Sequence, residues 1–269
     1  MGETTTAGKR PLYLKAAMLL DFGWKQALSC VFPLIIFGAL GITKVITIPG
    51  IARYDLILLI CLAAQAGMLL SKLETLGELK VVMLFHIIGL ALELFKVNMG
   101  SWSYPGEGWS KVGGVPLYSG FMYASVASYI CQAWRRLDLH FHKWPDARLS
   151  TGLAALIYAN FFTHHWLPDF RWWLTGLIFL LFWRSIVQYR VAGQHLRMPV
   201  LASFLLIALF IWLAENISTL LGAWSYPDQQ LGWTIVHWGK LSSWFLLVII
   251  SILLVAALKG KKPLNLTNS

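Results

Sequence analysis

Apolar residues along this chain gather into runs of about 17 to 24, too long for buried strands and with too little polar punctuation for amphipathic surface helices. A hydropathy window of about 19 residues marks eight runs: Gln26 to Ile48, Tyr54 to Leu70, Val81 to Met99, Pro116 to Trp134, Ser150 to Trp166, Trp172 to Tyr189, Pro199 to Leu221 and Ile235 to Leu258. Each predicts a membrane-crossing helix. The second, fifth and sixth are at the short end of what spans a hydrocarbon core of about 30 Å. Ahead of the first run, Tyr13 to Trp24 sets Leu14, Ala17, Met18, Leu20 and Phe22 among polar and small residues. That pattern predicts either a short interfacial helix or an extension of the first span.

The runs are duplicated. A shift of 122 positions lays Glu93, Gly100, Trp102, Ser103, Tyr104 and Pro105 on Glu215, Gly222, Trp224, Ser225, Tyr226 and Pro227. A W-S-Y-P stretch recurring in register with an upstream Gly and Glu points to duplication. The chain is expected to be all-α, one membrane domain of about eight transmembrane helices arranged as two parallel four-helix repeats, about 26–135 and 148–258. Because each repeat holds an even number of spans, the halves insert with the same orientation, around an axis along the membrane normal. The glycines are expected to end their helices in a left-handed residue, and the prolines to prevent resumption.

Composition agrees with lipid as the solvent: 58% of the 269 residues are apolar and 13% charged. The formal charge of +10 belongs to basic residues flanking the apolar runs, as in proteins oriented by positive charge and touching anionic headgroups, so no nucleic-acid partner is expected. With eight spans, sixteen of the 22 Lys and Arg residues fall on the side of the termini and six opposite. That asymmetry predicts a multi-pass protein of the cell (inner) membrane with both termini cytoplasmic and both W-S-Y-P stretches outside. No cleavage site of small residues follows the polar N-terminal stretch, so the first helix is expected to stay. Cys30, Cys61 and Cys131 form no C-x-x-C pair, and no phosphate loop, nucleophile elbow or H-E-x-x-H occurs. Neither cofactor nor metal is expected.

Glu93 and Glu215 each precede a helix-ending glycine by seven residues, about 10 Å at 1.5 Å per residue. A carboxyl group at that depth is costly unless paired or neutralised, which makes it a candidate for chemistry. The plainer alternative is a tie between the carboxyl and the Trp, Ser or Tyr of the turn. The first repeat adds His86 two turns before Glu93 and Lys96 three residues after it, where the second has Ala208 and Ser218. Glu93 is therefore expected to be charged and paired with Lys96, and Glu215, beside Asn216, to be neutral. Glu93, Glu215, Lys96 and His86 are the candidate catalytic groups. Trp102, Tyr104, Trp224, Tyr226, Asn160, His164 and His237 are candidate substrate contacts at the same depth, although an aromatic belt explains many of the boundary aromatics. His164 and His165 would diverge by about 100° on a helix, which disfavours shared metal binding.

The whole chain resembles the YoaT-like bacterial integral membrane family, which implies no activity. The order Glu93 to Tyr104, then Gly114, Val115, Pro116 and Leu117, is also similar to membrane lycopene cyclases and carotenoid hydratases. There an intramembrane acid precedes a G-x-W-x-[FY] exit and a proline-bearing entry to the next helix. Glu215 to Tyr226, followed by Leu231 and Gly232, repeats the order. That likeness implies an isoprenoid substrate handled without a cofactor. The cyclases' paired glutamates are replaced here by Tyr118 and Ser119, so carotenoid cyclisation itself is not implied. Three functions stay open: an acid/base enzyme acting on a lipid-soluble molecule, a small-molecule or proton-coupled transporter, and a scaffold whose motifs only fasten helix ends. Membrane lipids are the expected surroundings in each case. The sequence leaves oligomeric state open.

Overall fold

The computed structural model describes residues 11–258, and these are mostly helical. Every predicted run contains a helix: α2 (Val31–Val45), α3 (Arg53–Leu70), α4 (Leu76–Asn98), α5 (Tyr118–Arg136), α6 (Ala147–Thr163), α7 (Arg171–Phe182), α8 (Val200–Leu220) and α9 (Gly239–Leu258). They are preceded by α1 (Leu12–Ser29), longer than the interfacial stretch expected and absorbing the start of the first run. α1 and α2 meet at Cys30 with a bend of 62°. Pro33 accounts for it, since in a continuous helix its ring would strike the carbonyl of Ser29.

Among the described residues four helices, α3, α4, α8 and α9, are long and apolar enough to cross a membrane, and the bent α1–α2 pair adds a fifth if it is counted as one span. The shortfall from eight has identifiable causes. α6 has 17 residues and α7 only 12. α5 has 19, of which 13 are buried, Ser119, Gly120, Ala124, Ser125, Ala127 and Ser128 among them. Its small and polar residues pack against protein, where close backbone approach replaces apolar bulk. A Cβ on Gly89 of α4 would lie 2.5 Å from Tyr123, and one on Gly120 would lie 2.8 Å from the His86 carbonyl.

The sixth run is corrected at its C-terminal end. The helix stops at Phe182, and the chain continues as a hairpin of β4 (Ile186–Val191) and β5 (Gln194–Pro199), joined to β3 (His140–His142) in the order β3-β4-β5. The hairpin turns at Ala192 and Gly193, both with positive φ, as two-residue hairpin loops require. A second hairpin, β1 (Lys111–Val112) with β2 (Val115–Pro116), precedes α5. The expectation of an all-α chain is corrected to a mostly helical one with two small antiparallel sheets.

Where α3 turns into α4, Thr75 and Glu78 form a reciprocal capping box. Beside it the buried Glu74 accepts hydrogen bonds from Gln65 of α3 at 2.5 Å and from Ser128 of α5. This buried acid, in the loop before α4, ties α3 to α5.

Candidate functional site

Helices α4 and α8 end alike. Gly100 and Gly222 adopt φ of +70° and +74°. Their N–H groups donate to Val97 and Thr219, and those of Ser101 and Ala223 to Lys96 and Ser218. This is the paired bonding of a Schellman end, expected where glycine takes the left-handed position. The two exits then join. Ser103 and Ser225, equivalent under the 122-residue shift, exchange N–H···O bonds of 2.9 Å in each direction. Tyr118, fully buried, donates to the Ala223 carbonyl at 2.6 Å. Arg53 at the start of α3 donates to the carbonyls of Leu221, Gly222 and Leu40, fastening the ends of α8 and α2.

Each glutamate lies beneath its own turn. Glu93 accepts from the Trp102 indole, the Tyr104 hydroxyl and the Tyr123 hydroxyl, all at 2.7 Å. Glu215 accepts from the Tyr226 hydroxyl at 2.5 Å and the Trp244 indole at 2.8 Å. The tyrosine of the motif thus performs the same task at both turns. The second donor differs, coming from the motif itself in one and from α9 in the other. These bonds supply the tie between carboxyl and turn that the sequence offered as the plainer alternative.

The expected Glu93–Lys96 pair is not formed. Lys96 Nζ lies 3.3 Å from His164 Nε2 and 3.0 Å from His165 Nε2. The His164 Nδ1 contact with the Asn160 carbonyl, 2.9 Å, fits an Nδ1–H donor, which leaves Nε2 to accept from the ammonium. The two rings converge because α6 ends at Thr163, so the helical divergence expected of them does not operate. Just beyond them, Asp169 accepts from the Asn160 amide and the Arg171 N–H, and pairs with the Arg171 guanidinium at 2.9 Å. Partial burial pushes the Asp169 carboxyl up, but the bonds from Asn160 and Arg171 and the nearby positive charge outweigh it and hold it below its ordinary value.

A cleft of about 1060 Å³ runs between α5 and α8. Its lining extends from Ser203 to Ser218 on α8, about 22 Å at 1.5 Å per residue, and from Met122 to Trp134 on α5. Apolar side chains from α1, α2, α5 and α8 make most of the wall; Tyr189 and Met198 of the hairpin lie at one end. At the other end, under the paired turns, are Glu93, Glu215, Lys96, Trp102, Trp224, Tyr226, His164 and His237, all predicted site residues. Arg171, Lys240, Tyr123 and Trp244 line the same end and were not among the predicted site residues. Lys240 Nζ sits over two motif rings, 4.9 Å from the Trp102 centroid and 4.5 Å from that of Tyr226.

Three predicted site residues lie elsewhere. His86 packs on Phe121 of α5, ring centroids 4.4 Å apart, with its Nδ1 unpartnered. It shares the α5-facing side of α4 with Glu93 but lies about 10 Å further along the helix, outside the cleft lining. Tyr104 is buried behind Glu93 against Tyr54 and Tyr118. Asn160 uses its amide to close the α6–α7 turn, donating to Asp169 and accepting from the Phe170 N–H.

A family described as a protein of unknown function, DUF817, matches residues 18–252. A relative from Bacillus subtilis (strain 168), described as uncharacterized protein YoaT, is 59% identical over 251 residues, covering 93% of this chain and 95% of the relative. No solved structure matches.

Proposed function

We propose, from the premise that the chain belongs to the DUF817 family of proteins of unknown function, that it is a multi-pass membrane enzyme acting by acid and base on a lipid-soluble, isoprenoid-like substrate. The observation that carries this reading is the cleft itself: long, apolar along its walls, and bearing two carboxyl groups at one end. Its volume reaches the top of the range of about 300–1,000 Å³ usual for small-molecule sites. Each carboxyl is backed by a tyrosine that also lines the cleft, Tyr123 for Glu93 and Tyr226 for Glu215. A proton can therefore pass between carboxyl and substrate through a phenol, while the ties to the turns hold both carboxyls in place.

Two further elements belong to this proposal. Eight crossings, with α6 and α7 as short spans and α5 sheltered within the bundle, keep both termini cytoplasmic and the W-S-Y-P turns outside. Two parallel repeats bring equivalent turns together about an axis along the membrane normal, in keeping with the reciprocal pairing of Ser103 and Ser225.

The test is untargeted lipid and pigment profiling of cells carrying the wild-type protein, no protein, Glu93→Gln or Glu215→Gln. Each Gln variant is expected to reproduce the profile of cells lacking the protein, at wild-type protein level. A wild-type profile from both variants would contradict acid and base chemistry. Loss of accumulation or export of a solute, with lipids and pigments unchanged, would favour the transporter, to which a cleft running the length of α5 and α8 is also suited.

A further inference from the structure

The geometry points to an anionic, phosphate-ester head on the molecule that occupies the cleft, held by Lys240 and Lys96 beneath the paired W-S-Y-P turns. This inference rests on the reading of the cleft as the seat of a long-chain molecule and adds the chemistry of its head.

Three cationic side chains line the polar end: Lys96, Arg171 and Lys240. Two carboxylates share it and their charges reach Lys240, yet neither lies in ion-pair contact with a lysine. Glu93 and Glu215 accept from indole and phenol donors. Arg171 alone has an acid, Asp169, and it also donates to the Gly239 carbonyl at 3.0 Å. Lys96 is met by two imidazoles, and Lys240 only by the faces of Trp102 and Tyr226. Among the described residues, neither lysine forms an ion pair.

An ammonium drawn out of bulk water without a counter-charge in contact is unfavourable, and aromatic faces or more distant carboxyls compensate it only in part. Both lysines line the cleft, so a counter-charge in direct contact can be supplied by a ligand. A tetrahedral phosphate can accept bonds from several cations approaching from different sides, as lysines here do from α4 and α9. The apolar wall leading away from this end, about 22 Å of it, takes the chain. A free inorganic anion would leave that wall unfilled, and a neutral alcohol would leave the lysines uncompensated.

Full-length protein reconstituted in phosphatidylcholine nanodiscs provides the test, with the fluorescence of cleft tryptophans Trp102, Trp224 and Trp244 reporting binding. Three probes are titrated: farnesyl phosphate, farnesol and inorganic phosphate. Farnesyl phosphate is expected to bind at least about tenfold more tightly than farnesol, the scale of one charge-assisted contact, and inorganic phosphate not to compete with it. Lys240→Met is expected to bring farnesyl phosphate down to the affinity of farnesol. Equal binding of farnesol and farnesyl phosphate by the wild-type protein would overturn the anionic head while leaving the long-chain reading intact. Inorganic phosphate competing as well as farnesyl phosphate would overturn the amphiphile in favour of a free-anion site. Binding of none of the three would overturn the long-chain reading itself.

Discussion

Glu93 gathers three donors inside the bundle, which sets apart two substitutions of similar size. In Glu93→Gln the amide oxygen can still accept from Trp102 and Tyr104, and the amide N–H can turn to the Tyr123 oxygen. Glu93→Leu leaves all three groups unmet, at about 1–3 kcal/mol for each one that stays buried. Thermal unfolding in detergent should place the Gln variant near wild type and the Leu variant far below it; equal losses would show that the ties contribute little. Asp169 allows a second test, in pH. Its carboxyl is held below the ordinary 3.8, so the folded state releases that proton more readily than the unfolded one. The resulting stability is present above about pH 4 and lost as pH falls through the depressed value. Asp169→Asn should therefore shrink the drop in stability below pH 4, with little change in the slope at neutral pH. The depth of both glutamates was legible from their distance to the helix-ending glycines. Their donors were legible only in part: Trp102 and Tyr104 are in the motif, whereas Tyr123 and Trp244 belong to α5 and α9, and no local spacing reveals which side chains meet across helices.

At the scale of elements, the two glycine-terminated helices look interchangeable in sequence and differ in surroundings. A Cβ on Gly100 meets open space, while one on Gly222 lies 3.3 Å from the Arg53 guanidinium, which caps α8. The left-handed backbone costs either alanine variant about 1–2 kcal/mol. Gly222→Ala should lose more than Gly100→Ala, because it also displaces the cap; a larger loss from Gly100→Ala would contradict the role given to Arg53. The helix ends were readable from the sequence because glycine and proline act locally. The bend at Cys30 was readable in principle from Pro33. The hairpin was missed because the apolar run continues through Phe182 into Ile186, Val187 and Tyr189, and window averaging conceals a change of period from 3.6 to 2. Its signal was the alternation of Val187, Tyr189 and Val191 with Gln188 and Arg190, closing on Ala192-Gly193. α5 presents the opposite difficulty. It packs so closely on its neighbours that its sequence is less apolar than that of the more exposed helices α3 and α8.

For the whole molecule, the charge asymmetry and the two loop clusters make one topological claim. Leu231, fully exposed beside the second turn, and Gln194, exposed at the hairpin tip, should lie on opposite sides of the membrane. A cysteine at Leu231 should react with an impermeant thiol reagent in intact cells, and one at Gln194 only after permeabilisation; the reverse would invert the topology. The mostly helical class was visible in the sequence because each apolar run is written residue by residue along the chain. The cleft was not, since a space between α5 and α8 depends on how helices distant in the chain come to rest. That space is also the centre of the functional account. The most direct measurement is native mass spectrometry with extraction of whatever accompanies the purified protein, comparing wild type with Ala214→Phe, whose added ring projects into the cleft beside Glu215. A lipid-soluble compound enriched over bulk membrane lipid is expected in the wild type and should be displaced in the variant at unchanged folding. A wild-type protein carrying only bulk lipid, or a Phe variant with undiminished occupancy, would contradict it.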